Sequence, residues 1–244
     1  MKETILGLHH ITAIAENAQR NYDFYTKVLG LRMVKKTVNF DDPGTYHFYY
    51  GNENGTPGTI LTFSPWKGIG KGSKGVGMAT EIGYSVLAGS LEFWQDRFNR
   101  FSTPMGQITE RFGETLLPFT DPDGLDISLI ISKTFDDRKA WEATDVKADV
   151  ATRGFHNVTL TLRKIDETAK VLTDIFGYSL LLQEGNRYRF ITDAVSNASI
   201  VDLLEEPNGK VGSNAGGTNH HVAFRVADEA VQMTFREKVL SKGL

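Results

Sequence analysis

The chain repeats itself, and a histidine doublet marks the repeat. His9-His10 near the start and His220-His221 near the end each open an apolar alternation, followed by a polar turn and a helix pattern. Four of the six histidines lie in these doublets. Adding 147 carries Leu8-His9-His10-Ile11-Thr12 onto Phe155-His156-Asn157-Val158-Thr159, and Leu29-Gly30 onto Phe176-Gly177. Adding 211 carries His9-His10 onto His220-His221 and Phe24 onto Phe235, while adding 69 carries Phe24-Tyr25 onto Phe93-Trp94. The register describes four copies of one β-α-β-β-β unit, starting near residues 7, 76, 154 and 218. A unit of this kind cannot bury its apolar face alone, so copies must pack together. Packing equivalent strands brings distant side chains to one metal ion.

Periodicity fills in each copy. In the first, Tyr22, Tyr25, Val28 and Leu29 predict a helix over 17–29 that Gly30 stops. Strands follow at 31–37, 46–50 and 59–63, separated by Asp41-Asp42-Pro43-Gly44 and Asn52-Glu53-Asn54-Gly55. In the second, Met78 to Val86 opens the copy and Leu125 to Ile131 closes it after Asp121-Pro122-Asp123-Gly124. The expected organisation is an N-terminal pair of modules over 1–135 (about 7–65 and 76–132), a charged linker over 136–152, and a C-terminal pair over 153–244 (about 153–206, then from about 217). After the helix pattern Glu229 to Leu240 the fourth copy has no strands, so it reads as truncated. A β-α fragment leaves an open sheet edge. The expectation is therefore a native protein longer by roughly 40 to 70 residues.

Composition narrows the chemistry. With 40% hydrophobic and 23% charged residues the chain can bury a sizeable core, and a net charge of -3 without a basic run offers no footprint for nucleic acid. No apolar run approaches the roughly 18 residues of a membrane span, and Met1-Lys2-Glu3-Thr4 does not begin a signal peptide, so no membrane association is expected and the cytoplasm is the predicted location. The absence of cysteine excludes disulfides, thiolate zinc sites and cysteine nucleophiles. Imidazole and carboxylate remain as ligands, which points to a hard or borderline metal.

Several motifs taken together carry a family resemblance: Leu8-His9-His10-Ile11-Thr12, Tyr46-His47-Phe48-Tyr49-Tyr50-Gly51, Gly55-Thr56-Pro57-Gly58-Thr59, Arg153-Gly154-Phe155-His156, Glu184-Gly185-Asn186-Arg187-Tyr188-Arg189 and His220-His221-Val222-Ala223-Phe224. Across its whole length the chain resembles the hydroquinone-type ring-cleaving dioxygenases of the vicinal oxygen chelate (glyoxalase/bleomycin-resistance) superfamily. The resemblance implies an α+β fold of tandem βαβββ modules paired into half-open barrels. It also implies a mononuclear Fe(II), with Mn(II) as the alternative, and a small aromatic substrate opened with O2. By position His10 and His221 would be metal ligands, the iron lying between modules 1 and 4. The third ligand of the family is a Glu on the last strand of module 4, expected beyond Leu244. His220, Thr12 and His9 would serve as hydrogen-bonding or proton-transfer groups. A homo-oligomer stays open.

Other residues receive structural readings. The last-strand positions of the first three copies are Thr62, Ser128 and Asp202, and only Asp202 could ligate. Its module offers Asn157 where His10 stands and the second module offers Ala79, so Asp202 is expected to pair locally. His156 and His47 are read as hydrogen-bonding residues of the framework, and Tyr22, Phe24, Tyr25, Phe93, Trp94 and Phe98 as core. Tyr188 and Arg189 could line a pocket but are read first as exposed strand residues, and the glycine-rich run 68–77 as a flexible link, not a phosphate cradle. Two other functions share the scaffold. An isomerase or thiol transferase would need two carboxylates with Ni, Zn or Mn, which Thr62 does not supply. A protein that only sequesters an aromatic ligand would hold no metal.

Overall fold

The computed structural model describes residues 4–244. Module 1 comprises β1 (Leu8–Ala15), α1 (Ala18–Asp23), β2 (Arg32–Val38), β3 (Tyr46–Gly51) and β4 (Ile60–Pro65). Module 2 comprises β5 (Met78–Val86), α2 (Leu91–Arg100), β6 (Thr109–Arg111), β7 (Glu114–Thr120) and β8 (Asp126–Ile131). Module 3 runs through β9 (Gly154–Leu162), α3 (Asp166–Lys170), β10 (Ser179–Glu184), β11 (Arg187–Ile191) and β12 (Ile200–Glu205), and β13 (Asn219–Phe224) with α4 (Glu229–Leu240) opens the fourth copy. No helix among the described residues is long and apolar enough to cross a membrane.

The helix expected over 17–29 forms in two parts. Asn17 caps α1 by accepting from the Arg20 N–H at 2.9 Å, and a π-helical turn, Phe24–Val28, completes it. The Leu29 N–H reaches back to Phe24 O at 3.0 Å, as the Phe176 N–H does to Val171 O at 3.0 Å in module 3. Gly30 and Gly177 then turn the chain with φ of 68° and 80°, a conformation that costs other residues strain. At Gly30 an added Cβ would also lie 2.9 Å from the Val146 side chain. Gly30→Ala is accordingly expected to lower stability by more than about 1 kcal/mol, read from the urea midpoint.

Apolar residues of the helices close the core against the sheets. Tyr25, Trp94 and Phe98 are fully buried, with ring centroids 4.6 Å apart for Tyr25–Phe63 and 4.5 Å apart for Phe98–Phe119. Tyr22, from the same predicted aromatic set, lies on the outer face and is exposed.

The modules combine across the chain. One sheet has the order β13-β1-β4-β3-β2 and the other β10-β11-β12-β9-β5-β8-β7-β6. Module 1 thus pairs with the fourth copy through antiparallel β1 and β13, and module 2 with module 3 through antiparallel β5 and β9. Within a module the first strand runs parallel to the last, as β1 does to β4. Segment 136–152 is pinned in place: the Arg138 guanidinium donates to Gly58 O at 3.1 Å and Phe155 O at 2.9 Å.

The glycine-rich run 68–77 is not a free link. It lies against the 210–216 segment, with the Gly72 N–H donating to Gly216 O at 2.9 Å, Ser213 to Ser73 O at 2.8 Å and Val76 to Lys210 O at 2.8 Å. The glycines permit this approach, since a Cβ at Gly75 would stand 2.2 Å from Lys210 O.

Candidate active site

The same irregularity precedes the first-strand site position in every module. In the β1–β13 ladder Leu8 pairs with Phe224 and His10 with Ala223, leaving His9 as the extra residue; Thr12 pairs with His221 and Ala13 with Asn219, leaving His220. In the β5–β9 ladder the extra residues are Thr80 and His156. Each is a β-bulge, which re-aims neighbouring side chains. The bulges make His10, Glu81, Asn157 and His221 equivalent. The module 2 position is therefore Glu81, two residues beyond the Ala79 expected from the helix offset, because the strand-to-helix spacing of that copy differs.

Between β1 and β13 the bulges bring the doublets together. His10 Nε2 lies 3.2 Å from His221 Nε2, with the rings edge to face at 82°. His9 Nδ1 sits 3.0 Å from His10 Nδ1, and His220 Nδ1 sits 2.9 Å from His221 Nδ1. The first ring of each doublet thus engages the second through its Nδ1 side and leaves both Nε2 atoms facing each other. The Thr12 hydroxyl is 2.9 Å from His221 Nε2 and 2.7 Å from Thr62 Oγ1.

The electrostatics favour neutral rings with available lone pairs. Burial, then the charges of His221, His9 and His47, lowers His10 to about 4. Burial and then His220 lower His221, while burial and then Arg225 lower His9. Two nitrogens bound at right angles to one ion, each about 2.0–2.1 Å from it, stand about 3 Å apart. The imidazole pair fits that requirement. No group of three or more His, Cys, Asp or Glu suited to a metal is found among the described residues, and Thr62 and Thr12 bring hydroxyls where a carboxylate would be needed.

One contributor was not legible as such. His47, read from sequence as a framework residue, lies on the same sheet face as Thr12 and His221, because Tyr49 two residues on pairs with Thr62 and Thr62 with Thr12; burial, then the charges of His221 and Lys35, lower it. Its Nδ1 lies 3.2 Å from Tyr49 Oη. The period-two alternation of 46–50 separates His47 and Tyr49 from the core-facing Phe48 and Tyr50, and that signal could have found both.

In the second half-barrel the equivalent locus is filled by guanidinium groups. Arg189 clasps Asp202 through Nε and Nη2 at 2.8 and 2.9 Å and also donates to Glu114. Asn157 donates to Asp202 at 2.7 Å, while Arg111 and Ser128 donate to Glu81 at 2.7 and 2.8 Å. Asp202 therefore pairs locally, as expected. Arg189 does not match its reading as an exposed strand residue: it is 3% exposed, because its face of β11 turns into the barrel where the carboxylates need a cation. His156 accepts a framework role, 3.0 Å from Glu114.

Glu114 makes the network pH-sensitive. Burial would raise its carboxyl, but the His156 hydrogen bond and the Arg189 charge outweigh it and bring it from 4.5 down to about 2. A folded-state value below the unfolded one contributes stability above the ordinary value that is lost as pH falls through the folded one. The urea midpoint should fall between pH 4.5 and about 2, and Glu114→Gln should flatten that acid slope.

Similarity to known proteins spans the whole chain. A family model described as Glyoxalase/Bleomycin resistance protein/Dioxygenase superfamily matches residues 7–129. A Bacillus subtilis strain 168 protein provisionally named ring-cleaving dioxygenase MhqO is 42% identical over 245 residues, spanning 100% of this chain and 77% of that protein. The chlorohydroquinone/hydroquinone 1,2-dioxygenase of Sphingobium indicum is 33% identical over 248 residues, again spanning 100% of this chain and 77% of the relative. A crystal structure of a provisionally assigned dioxygenase from Bacillus subtilis matches with a TM-score of 0.92 at 40% identity, covering 98% of this chain and 76% of that one.

Proposed function

Because this chain belongs to the glyoxalase/bleomycin resistance protein/dioxygenase superfamily, we propose that it is a ring-cleaving dioxygenase that opens a hydroquinone-type ring with O2. His10 and His221 are the protein's imidazole ligands to Fe(II) in this reading. The observation that carries it is the 3.2 Å approach of two Nε2 atoms from residues 211 positions apart. Relatives named for ring cleavage and for hydroquinone support the reaction class.

Bound Fe(II) would supply Lewis acidity toward a phenol oxygen and an electron path between ring and O2. The chain's own residues do the rest. His10 and His221 stay neutral and present Nε2, held by His9 and His220. His220 and Thr12 are the groups we assign to hold or move a proton: His220 Nδ1 lies 2.9 Å from His221 Nδ1, and the Thr12 hydroxyl bonds Thr62 Oγ1 at 2.7 Å and would give up its 2.9 Å contact with His221 Nε2 once that nitrogen binds the metal. The hydroxyls of Thr12 and Thr62 add no negative charge, which leaves the ion's charge available to a phenolate and weighs against the two-carboxylate isomerase reading.

The test is oxygen uptake by the iron-loaded protein with methylhydroquinone and with catechol. Uptake with the hydroquinone is expected. Absence of uptake with either substrate at full iron content would exclude the enzyme reading and leave sequestration of an aromatic ligand.

A further inference from the structure

Strand β3 carries two side chains toward the doublets that the reading above leaves unused. Lys35, Tyr49, Thr62, Thr12 and His221 are paired in one continuous row across all five strands of the first sheet. Side chains of one such row share a face. Contacts along the row agree, with Thr62 and Thr12 2.7 Å apart and Thr12 and His221 2.9 Å apart. His47, two residues before Tyr49, shares that face; its Nδ1 is 3.2 Å from Tyr49 Oη and its Nε2 is buried without a hydrogen-bond partner among the described residues. The Lys35 ammonium lies over the Tyr49 ring, 5.2 Å from its centroid. Tyr49 is therefore held from two directions.

Spacing suggests what the held hydroxyl is for. Neighbouring strands are about 4.8 Å apart, so Tyr49 stands two strands, about 10 Å at the backbone, from Thr12 in the histidine row. Thr62, the short residue between them in the row, is itself buried, so an aromatic ring spanning the row would lie over it with one oxygen toward the histidines and the other toward the Tyr49 hydroxyl. A ring with adjacent oxygens would present both at the histidine end and leave the Tyr49 hydroxyl unmatched.

We propose that Tyr49, oriented by His47, hydrogen-bonds the substrate oxygen remote from His10 and His221 and thereby selects para- over ortho-dihydroxylated rings. This rests on the ring-cleaving reading and names its substrate geometry. Tyr49 is the specificity-determining residue. His47 touches Tyr49 and is a positioning residue.

The experiment is calorimetric binding of hydroquinone, phenol and catechol to the iron-loaded full chain without oxygen. Wild type should bind hydroquinone about tenfold tighter than phenol, the worth of one net hydrogen bond. Tyr49→Phe should bring that ratio close to one while phenol affinity holds. His47→Leu should do the same, and His47→Gln should recover part of the ratio, which a merely structural role would not predict. In turnover the loss should fall on KM for hydroquinone, with kcat little changed. An unchanged hydroquinone-to-phenol ratio in Tyr49→Phe overturns this inference and leaves the ring-cleaving reading standing; if that variant fails to fold, the His47 pair decides. Wild type that binds none of the three ligands removes the ring-cleaving reading, and this one with it.

Discussion

His221→Ala should yield a folded protein that retains no iron and takes up no oxygen with hydroquinone. Removing a group that merely supports a metal ligand costs about 10–100-fold in metal affinity, so removing one of two convergent imidazoles should exceed 100-fold. His10→Ala should behave alike, because neither ring can substitute for the other across the 3.2 Å gap. The fold should survive. His221 is exposed on β13 and His10 is half-buried, and neither belongs to the apolar core. A change in unfolding free energy within about 1 kcal/mol is therefore expected. Iron per chain by colorimetric assay, beside a urea melt, checks both halves. Full iron content in His221→Ala would mean that the doublets do not form the metal site.

Arg189→Met should produce the opposite pattern, a large loss of stability. Asp202 is 0% exposed and Glu114 6% exposed, and both would lose the guanidinium that pairs them. Breaking a buried pair by removing one partner costs about 3–5 kcal/mol, since a charge is left without compensation. Removing the charge it balanced should return much of that. The double variant Arg189→Met with Asp202→Asn is expected to recover more than half of the deficit, as groups in one network are not additive. Denaturant midpoints of the two single variants, the double variant and wild type form the test. Equal losses in Arg189→Met and the double variant would show that Asp202 is not what the guanidinium balances.

Together the two variants separate the halves of the molecule. In one half-barrel the equivalent positions carry His10 and His221 with hydroxyls around them; in the other they carry Glu81, Asn157 and Asp202, neutralised by arginines from β6 and β11. The same strand geometry thus gathers imidazoles in one place and buried ion pairs in the other. Charge explains the difference, because neutral imidazoles can await a cation in partial contact with water, whereas buried carboxylates require one at all times.

Much of this could be read along the chain. Strand alternation placed β5 at Met78–Val86 and helix periodicity placed α4 at Glu229–Leu240, both as found. The doublets in register singled out His10 and His221 because identical local sequence at equivalent offsets implies equivalent placement. Arg189 could not be read correctly, since a strand arginine facing water and one facing buried carboxylates have the same local pattern. Glu81 was displaced by two residues for a related reason: helix offsets carry no record of how many residues a turn and a bulge consume.

What the sequence by itself determined is the repeating unit, its strands and helices, and the imidazoles that converge, which follow from local periodicities and from like motifs recurring at fixed offsets. Tertiary structure alone decided that β1 meets β13 and β5 meets β9 edge to edge, that a bulge turns the rings of each doublet toward each other, and that guanidinium groups occupy the second locus. Those outcomes depend on which strand edges meet across long stretches of chain. Edge pairing is governed by backbone hydrogen bonds that every strand can offer, so it leaves no mark in local composition.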